Sequence, residues 1–283
     1  MPELPEVETI KGGLLIKAKG KKIKDVRIRV PKVFIGDRKK IIDAKIKDVR
    51  RTGKILQVIL DNGYSIIIHL KMTGQLVFEE RGEKSVGGHP QKIYEQPLPH
   101  KHTHIIYTFT DDSHLYFNDL RKFGWNKVIK TSKVDKTLGP DKFGPEPGSK
   151  GFSSEYLKKI FSRSKKTIKQ VLMDQNKISG IGNIYSSESL FYARIKPTKS
   201  ANKLSDKEIE KLKKALEKVI KLGLKHGGSS ENTYVNIEGK KGKYMDIAVV
   251  YQRAGEKCRK CGGKIRSQKI GGRTAFWCPA CQH

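Results

Sequence analysis

The sequence predicts a multidomain α+β protein: a β-sandwich behind one N-terminal helix, then a helical segment, then a short β-ribbon at the end of the chain. Three observations carry this reading. Through the first ~135 residues apolar positions mostly alternate with polar ones, and turn residues separate the runs. From Ser154 onward the apolar spacing changes to three and four, the period of a helix. All 4 cysteines stand at or after Cys258, in two Cys-x-x-Cys pairs.

Residues 5–15 form the first element. Val7, Ile10 and Leu14 share one helical face, Pro5 suits the first turn, and Glu6 and Glu8 lie near the positive end of the dipole. From Lys24 the pattern is that of a strand, with Val26, Ile28 and Val30 on one side. Ile55–Leu60 and Tyr64–Leu70 flank Asp61-Asn62-Gly63, a hairpin turn whose glycine takes positive φ at low cost. Ile105–Phe109 and His114–Phe117 pair in the same way around Asp111-Asp112-Ser113. Residues 79–103 are polar, Gly- and Pro-containing and aperiodic, and read as a long loop.

Thr137–Lys150 is rich in Pro and Gly and reads as an interdomain linker. Beyond it, Ser154 is placed to cap a helix through Phe161, and Ile168, Val171 and Leu172 mark a second. Gly182-Asn183 opens an apolar helix toward Ala193. Ser205-Asp206-Lys207-Glu208 is a capping box ahead of Leu212, Leu216, Val219 and Ile220, and Gly227-Gly228 ends that helix. Residues 229–246 read as a polar loop. The expected units are therefore 1–136, a linker 137–150, a helical unit 151–228, a connector 229–256 and a terminal module 257–283.

In that module Cys258 and Cys261 are followed, after sixteen intervening residues, by Cys278 and Cys281. Each pair lets two sulfurs reach one ion, and four thiolates suit one tetrahedral structural Zn²⁺ with no open position for catalysis. Gly271-Gly272 turns the ribbon between the pairs and leaves Arg273 beside its tip. So small a segment needs the metal to hold its shape. Two disulfides are disfavoured in a reducing compartment.

Lys and Arg total 59 against 29 Asp and Glu, a formal net charge of +30 over 283 residues. Such a balance favours a polyanionic partner. No apolar run approaches the ~18–20 residues that cross a bilayer. Met1-Pro2-Glu3-Leu4-Pro5-Glu6 has neither the basic nor the apolar region of a signal peptide, so a cytoplasmic protein is expected.

Met1-Pro2 also has a chemical reading. A small second residue permits removal of the initiator methionine, which would expose a secondary amine. Such an amine attacks an aldehydic sugar carbon and forms an iminium ion, an electron sink that acidifies the neighbouring C–H bond. An α-amino group titrates near 8 and is partly unprotonated at neutral pH. Glu3 would donate a proton to the sugar and Glu6 would orient the pair.

Several motifs share one resemblance. Pro2-Glu3-Leu4-Pro5-Glu6-Val7-Glu8-Thr9, His69-Leu70-Lys71-Met72-Thr73-Gly74, Asp119-Leu120-Arg121-Lys122-Phe123-Gly124, Leu138-Gly139-Pro140 and Gly180-Ile181-Gly182-Asn183-Ile184-Tyr185 occur in that order. With the Cys258–Cys281 module they resemble the bacterial formamidopyrimidine-DNA glycosylases over nearly the whole chain. The resemblance implies a helix–two-turns–helix unit within 151–228 and a lesion-recognition loop over Ser229–Met245. It implies a monomeric bifunctional enzyme that acts on duplex DNA bearing a damaged base. Oxidised purines are excised, and the strand is then cut by β- and δ-elimination.

On this resemblance Pro2 is the Schiff-base nucleophile and Glu3 a proton donor. Lys54 contacts phosphate and assists β-elimination, and Arg273 binds phosphate and assists δ-elimination. His102 contacts DNA. Met72, Arg121 and Phe123 fill the gap left by an expelled base; apolar and aromatic groups replace stacking and a guanidinium bonds the orphaned partner. Asn183 and the glycines before it approach phosphate at a helix N-terminus. Lys165, Lys166 and Lys169 add charge toward the DNA backbone.

Departures are visible. Residues 79–101 are longer than in a typical member, and His89, His100, His102 and His104 there read as a solvated loop rather than a metal site. Ser164 stands where many members carry a basic residue. Two competing readings keep the same charge and zinc module: an endonuclease VIII-type enzyme for oxidised pyrimidines, and a catalytically silent DNA-binding protein. Leu4 argues against the first, because that branch typically has Gly there.

Overall fold

The structure, a computed structural model, describes residues 1–88, 96–139, 141–229 and 242–283. His89, Pro140 and residues 230–241 of the expected lesion loop lie outside the described residues. The chain divides into two compact units, Met1–Gly139 with His226–Met245, and Pro140–Lys225 with Asp246–His283.

The first unit opens with helix α1 (Leu4–Ala18), whose buried face includes Val7, Ile10 and Leu14. Glu3 is its N-cap and forms a reciprocal capping box with Glu6. Among the described residues ten strands follow: β1 (Ile23–Ile28), β2 (Phe34–Ile35), β3 (Ile46–Thr52), β4 (Ile55–Leu60), β5 (Tyr64–His69), β6 (Gly74–Glu80), β7 (Glu83–Gly88), β8 (Thr103–Phe109), β9 (His114–Asp119) and β10 (Trp125–Lys130). They form two five-stranded sheets in the orders β1-β8-β9-β6-β7 and β2-β10-β5-β4-β3. Val26, Ile105 and Phe117 of one sheet meet Val58, Ile66 and Ile68 of the other, and Leu14 of α1 joins the same core. A short helix, α2 (Val134–Leu138), closes this part of the chain.

The long loop expected over 79–103 is corrected. β6 runs on to Glu80 and β7 returns through Gly88, in register from Glu80↔Glu83 to Gln75↔Gly88. The turn is Arg81-Gly82 with φ of 51° and 80°, the positive pair that a tight hairpin needs. β7 is polar, so its pairing left no apolar alternation to read. His100 and His104 are also not solvated: both are buried, and His104 lies within β8.

The second unit contains α3 (Ser154–Ser162), α4 (Ile168–Leu172), α5 (Asn183–Ala193) and α6 (Asp206–Lys225). Ser153, not Ser154, caps α3 by accepting the Tyr156 N–H at 3.1 Å. The capping box of α6 is present: the Ser205 N–H donates to Glu208 Oε2 at 2.9 Å and the Glu208 N–H to Ser205 Oγ at 3.3 Å. α7 (Tyr244–Ile247) carries the chain back from the first unit. β11 (Arg266–Ile270) and β12 (Arg273–Trp277) make the terminal ribbon, with Gly271 and Gly272 both at positive φ in its turn. Among the described residues no helix is long and apolar enough to cross a membrane.

Candidate active site

Pro2 and Glu3 are buried at the head of α1, directly ahead of a carboxylate with two tasks. Glu6 Oε2 accepts the Glu3 N–H at 2.8 Å. Glu6 Oε1 accepts the N–H and hydroxyl of Ser229 at 2.6 and 2.9 Å. Thus Glu6 ties the start of the chain to the start of the segment expected to meet the lesion. Gly228 is required beside it: a Cβ there would stand 2.9 Å from Glu6 Oε1, and its φ is +84°.

Lys54 sits in the two-residue turn between β3 and β4 and is only 4% exposed. Arg51 fixes that turn. Its Nη1 donates to the Gly53 carbonyl at 2.8 Å, and its Nε donates to Glu8 Oε2 of α1 at 2.7 Å. Burial acts to raise the Glu8 carboxyl, but hydrogen bonds from Lys11 and Arg51 outweigh it and hold the group below its ordinary range. The helix that carries the N-terminus is therefore tied to the turn that carries Lys54. His69, paired with Ile55 across β4 and β5, accepts the Lys71 N–H on Nδ1 at 3.0 Å. Burial first, then the charges of Lys71 and Lys54, bring its pKa down to about 3.

Met72 and Phe123 are exposed apolar side chains, at 37% and 54%, on the β5–β6 and β9–β10 connections. The Arg121 guanidinium lies over the Phe123 ring, 4.7 Å from its centroid. One fully buried carboxylate organises both connections. Asp119 Oδ1 accepts from the Thr73 hydroxyl and from the Arg121 N–H at 3.2 Å, and Oδ2 accepts the Gly124 N–H at 2.7 Å. The Asp119 carbonyl is 2.6 Å from His104 Nε2, and its N–H donates to the His102 carbonyl at 3.0 Å. His102 itself is half-buried, and its N–H donates to His100 Nδ1 at 3.2 Å. Burial, followed by Lys101 and Lys122, lowers its pKa.

In the second unit Gln175 shapes the turn before α5. Its Oε1 accepts the Gly180 N–H at 3.0 Å, and its Nε2 donates to the carbonyls of Met173 and Ile181 at 2.9 and 2.8 Å. Gly180 takes φ of 86° within that turn, and Gly182 is the N-cap of α5. Asn183 follows as the first helical residue, with Oδ1 buried and without a hydrogen-bond partner among the described residues. Lys165 is exposed and Ser164 is buried. Lys169 is corrected: it is fully buried, and its ammonium donates to the Asn183 carbonyl and to Ser186 and Ser187 Oγ at 3.3, 3.0 and 2.8 Å. It supports the turn from beneath and does not face the solvent.

The four sulfurs of Cys258, Cys261, Cys278 and Cys281 lie within 4.8 Å of one another, and all four cysteines are free. Tetrahedral Zn–S bonds of ~2.3 Å place sulfurs about 3.8 Å apart, so the cluster fits one structural zinc. Val250, Ile265 and Phe191 of α5 pack against it. The ribbon tip abuts α4, since a Cβ on Gly271 would come within 2.9 Å of Gln170 Nε2. Arg273 is exposed beside that tip. Glu188 of α5 fastens the chain ahead of the module by accepting the N–H groups of Val249, Val250 and Tyr251 at 2.8, 2.9 and 2.8 Å.

Residues 1–126 match the family described as "Formamidopyrimidine-DNA glycosylase N-terminal domain", and residues 143–235 match "Formamidopyrimidine-DNA glycosylase H2TH domain". The chain belongs to the formamidopyrimidine-DNA glycosylase family. Residues 255–283 match "Zinc finger found in FPG and IleRS". Family members from Pelotomaculum thermopropionicum and Geobacillus kaustophilus are 37% and 38% identical over 287 and 288 residues. These alignments take in all of this chain, 99% of the first relative and 100% of the second. A Lactococcus lactis family member in complex with DNA containing an abasic site has a TM-score of 0.88 at 32% identity, covering 99% of each chain. The wild-type protein of that organism, bound to DNA containing N7-benzyl-Fapy-dG, gives 0.88 at 31% over 100% of each.

Glu8, Arg51, Asp119 and Gln175 position the expected site residues; from sequence Glu8 has only a place near the α1 dipole, and the other three have no role of their own. Asp119 and Gln175 left only faint signals: an acid at the end of an apolar strand, and a Gln five residues before a Gly-x-Gly turn.

Proposed function

We propose that this protein excises oxidised purines from duplex DNA and then cuts the strand, with the Pro2 nitrogen as nucleophile once Met1 has been removed. The observation that carries the reading is the head of α1, where Pro2 precedes a Glu3–Glu6 capping box whose second carboxylate holds Ser229. In this family setting the enzyme is a DNA glycosylase with abasic-site lyase activity in base-excision repair.

The amine lone pair forms a bond to C1′ as the damaged base departs with the glycosidic electron pair and takes up the proton that the amine sheds. Glu3 gives a proton to the ring oxygen as the sugar opens, which leaves an iminium ion at C1′. Loss of a C2′ proton sends electrons into that ion, and the 3′-phosphate leaves. A second elimination expels the 5′-phosphate, and water then releases the sugar remnant and the amine. Lys54 assists the first elimination and Arg273 the second, each by contacting phosphate.

Met72, Arg121 and Phe123 enter the space left by the flipped base, and His102, Asn183 and Lys165 hold the backbone. Residues 1–136 serve as the catalytic sandwich, 151–228 as the helix–two-turns–helix unit beyond the 137–150 linker, 229–256 as the lesion loop and connector, and 257–283 as the zinc finger. The enzyme acts as a cytoplasmic monomer.

Borohydride trapping on an 8-oxoguanine duplex tests this. The expected result is a covalent enzyme–DNA adduct whose protein moiety begins at Pro2, sharply reduced by Pro2→Gly and by Glu3→Gln. An adduct mapped to a lysine, or no adduct from Met1-free protein that binds the duplex, overturns it.

A further inference from the structure

Helix α6 carries a second charged surface, and none of its lysines is among the expected site residues. Lys207, Lys211, Lys214, Lys218, Lys221 and Lys225 are all exposed. At 3.6 residues per turn their spacings of four and three place them within an arc of about 80°, along about 27 Å of helix. The opposite face is apolar and buried, through Ile209, Leu212, Leu216, Val219 and Ile220. The stripe therefore points away from α5 and α3, on which that face packs.

The arrangement works against the helix that bears it. Like charges three and four residues apart repel, and Lys207 adds a positive charge in the first turn, where the dipole disfavours it. Among the described residues none of the six meets a carboxylate. The acids of α6 with partners use other lysines: Asp206 takes Lys158, Glu208 takes Lys199 and Glu217 takes Lys213. Glu210 borders the arc, and Lys218 lies against a neighbour, with Nζ 4.4 Å from the Tyr192 ring centroid. A row of uncompensated ammonium groups matches the phosphates of a nucleic acid, which bear one charge per ~1.7 Å of duplex axis. An anionic membrane is a poorer match, because surface helices that bind lipid need a free apolar face.

We infer that the lysine stripe of α6 is an auxiliary, sequence-independent binding surface for a second segment of duplex DNA. It holds undamaged DNA by its phosphates while the lesion site is occupied. The inference does not depend on the Pro2 chemistry.

The test uses full-length, zinc-loaded protein saturated with a short duplex carrying an uncleavable abasic-site analogue, to which a labelled undamaged duplex of about 30 base pairs is added. Wild-type protein is expected to bind both duplexes, and to lose the second steeply with salt. The quadruple variant Lys211→Gln, Lys214→Gln, Lys218→Gln, Lys221→Gln is expected to lose the second duplex while still binding the first. For undamaged duplex alone its log Kd–log salt slope falls by about 3.6, near 0.9 for each of four lost phosphate contacts. The same four positions changed to Arg retain the second duplex, and the pair Lys211→Gln, Lys218→Gln gives an intermediate slope. No ternary complex with wild-type protein, or an unchanged slope in the folded Gln variant, overturns the inference. A stripe that serves an acidic protein instead would give that unchanged slope.

Discussion

Asp119 and Thr73 are hydrogen-bonded side chain to side chain, although 46 residues separate them in the chain. Because Asp119 also takes the N–H groups of Arg121 and Gly124, one buried carboxylate clamps the loop of Met72 to the loop of Arg121 and Phe123. Asp119→Asn turns one acceptor into a donor facing an N–H group. The expected cost is about 2–3 kcal/mol of stability, the range for a buried charged hydrogen bond. Excision from duplex should fall at least about tenfold, since about 1.4 kcal/mol of lost transition-state positioning suffices. Cleavage of an abasic site in single-stranded DNA, which needs no wedge, should persist. Equal loss on both substrates would reduce Asp119 to a folding residue.

The Glu8–Arg51 contact makes a separate prediction for Lys54. Arg51→Met leaves the Gly53 carbonyl without the guanidinium and frees the Lys54 turn from α1. Strand cleavage at a pre-formed abasic site should slow by about tenfold, equivalent to roughly 1.4 kcal/mol, with little change in duplex affinity. Single-turnover kinetics beside equilibrium binding checks this split.

Acid should weaken the sandwich through His69. Its folded pKa is about 3, brought down chiefly by burial, whereas an unperturbed histidine titrates near 6.5. Between those values the unfolded chain binds a proton that the folded chain refuses. Stability is therefore fully present above pH ~6.5 and falls as pH drops toward 3, by up to about 1.4 kcal/mol per unit. His69→Gln keeps an acceptor for the Lys71 N–H and removes the titration. Urea unfolding at pH 7 and pH 5 should show wild type losing about 2 kcal/mol more than the variant. An identical loss in both would contradict this.

Zinc removal should act on the finger and spare the sandwich. Besides its cysteines the finger buries only a handful of apolar side chains, among them Ile265, Ile270, Ala275 and Trp277, so chelation releases it. Duplex binding and excision should then fail while the β-sheet signal in circular dichroism remains. Loss of both together would mean that the finger also supports the first unit.

Short-range physics was legible in the chain. The face of α1, the Asn62-Gly63 hairpin, the Ser205 capping box and the two cysteine pairs each depend on residues within a few positions of one another. The β6–β7 hairpin was not legible, because polar Glu83, Lys84 and Ser85 leave no periodic signal and pairing with an existing sheet decides their state. Nor was the burial of Lys169, because its partners Ser186 and Ser187 lie on another helix.

The chain alone thus marked most of its element types, the cysteines of its metal cluster and the candidate residues for chemistry, since periodicity, capping and ligand spacing are local properties. Folding decided which side chains hold those residues in place: Glu8 on Arg51, Asp119 on Thr73, Glu6 on Ser229. Those bonds join segments distant in sequence, and a buried acceptor selects its donors by what the packed sheets and helices bring within about 3 Å, which no local pattern encodes.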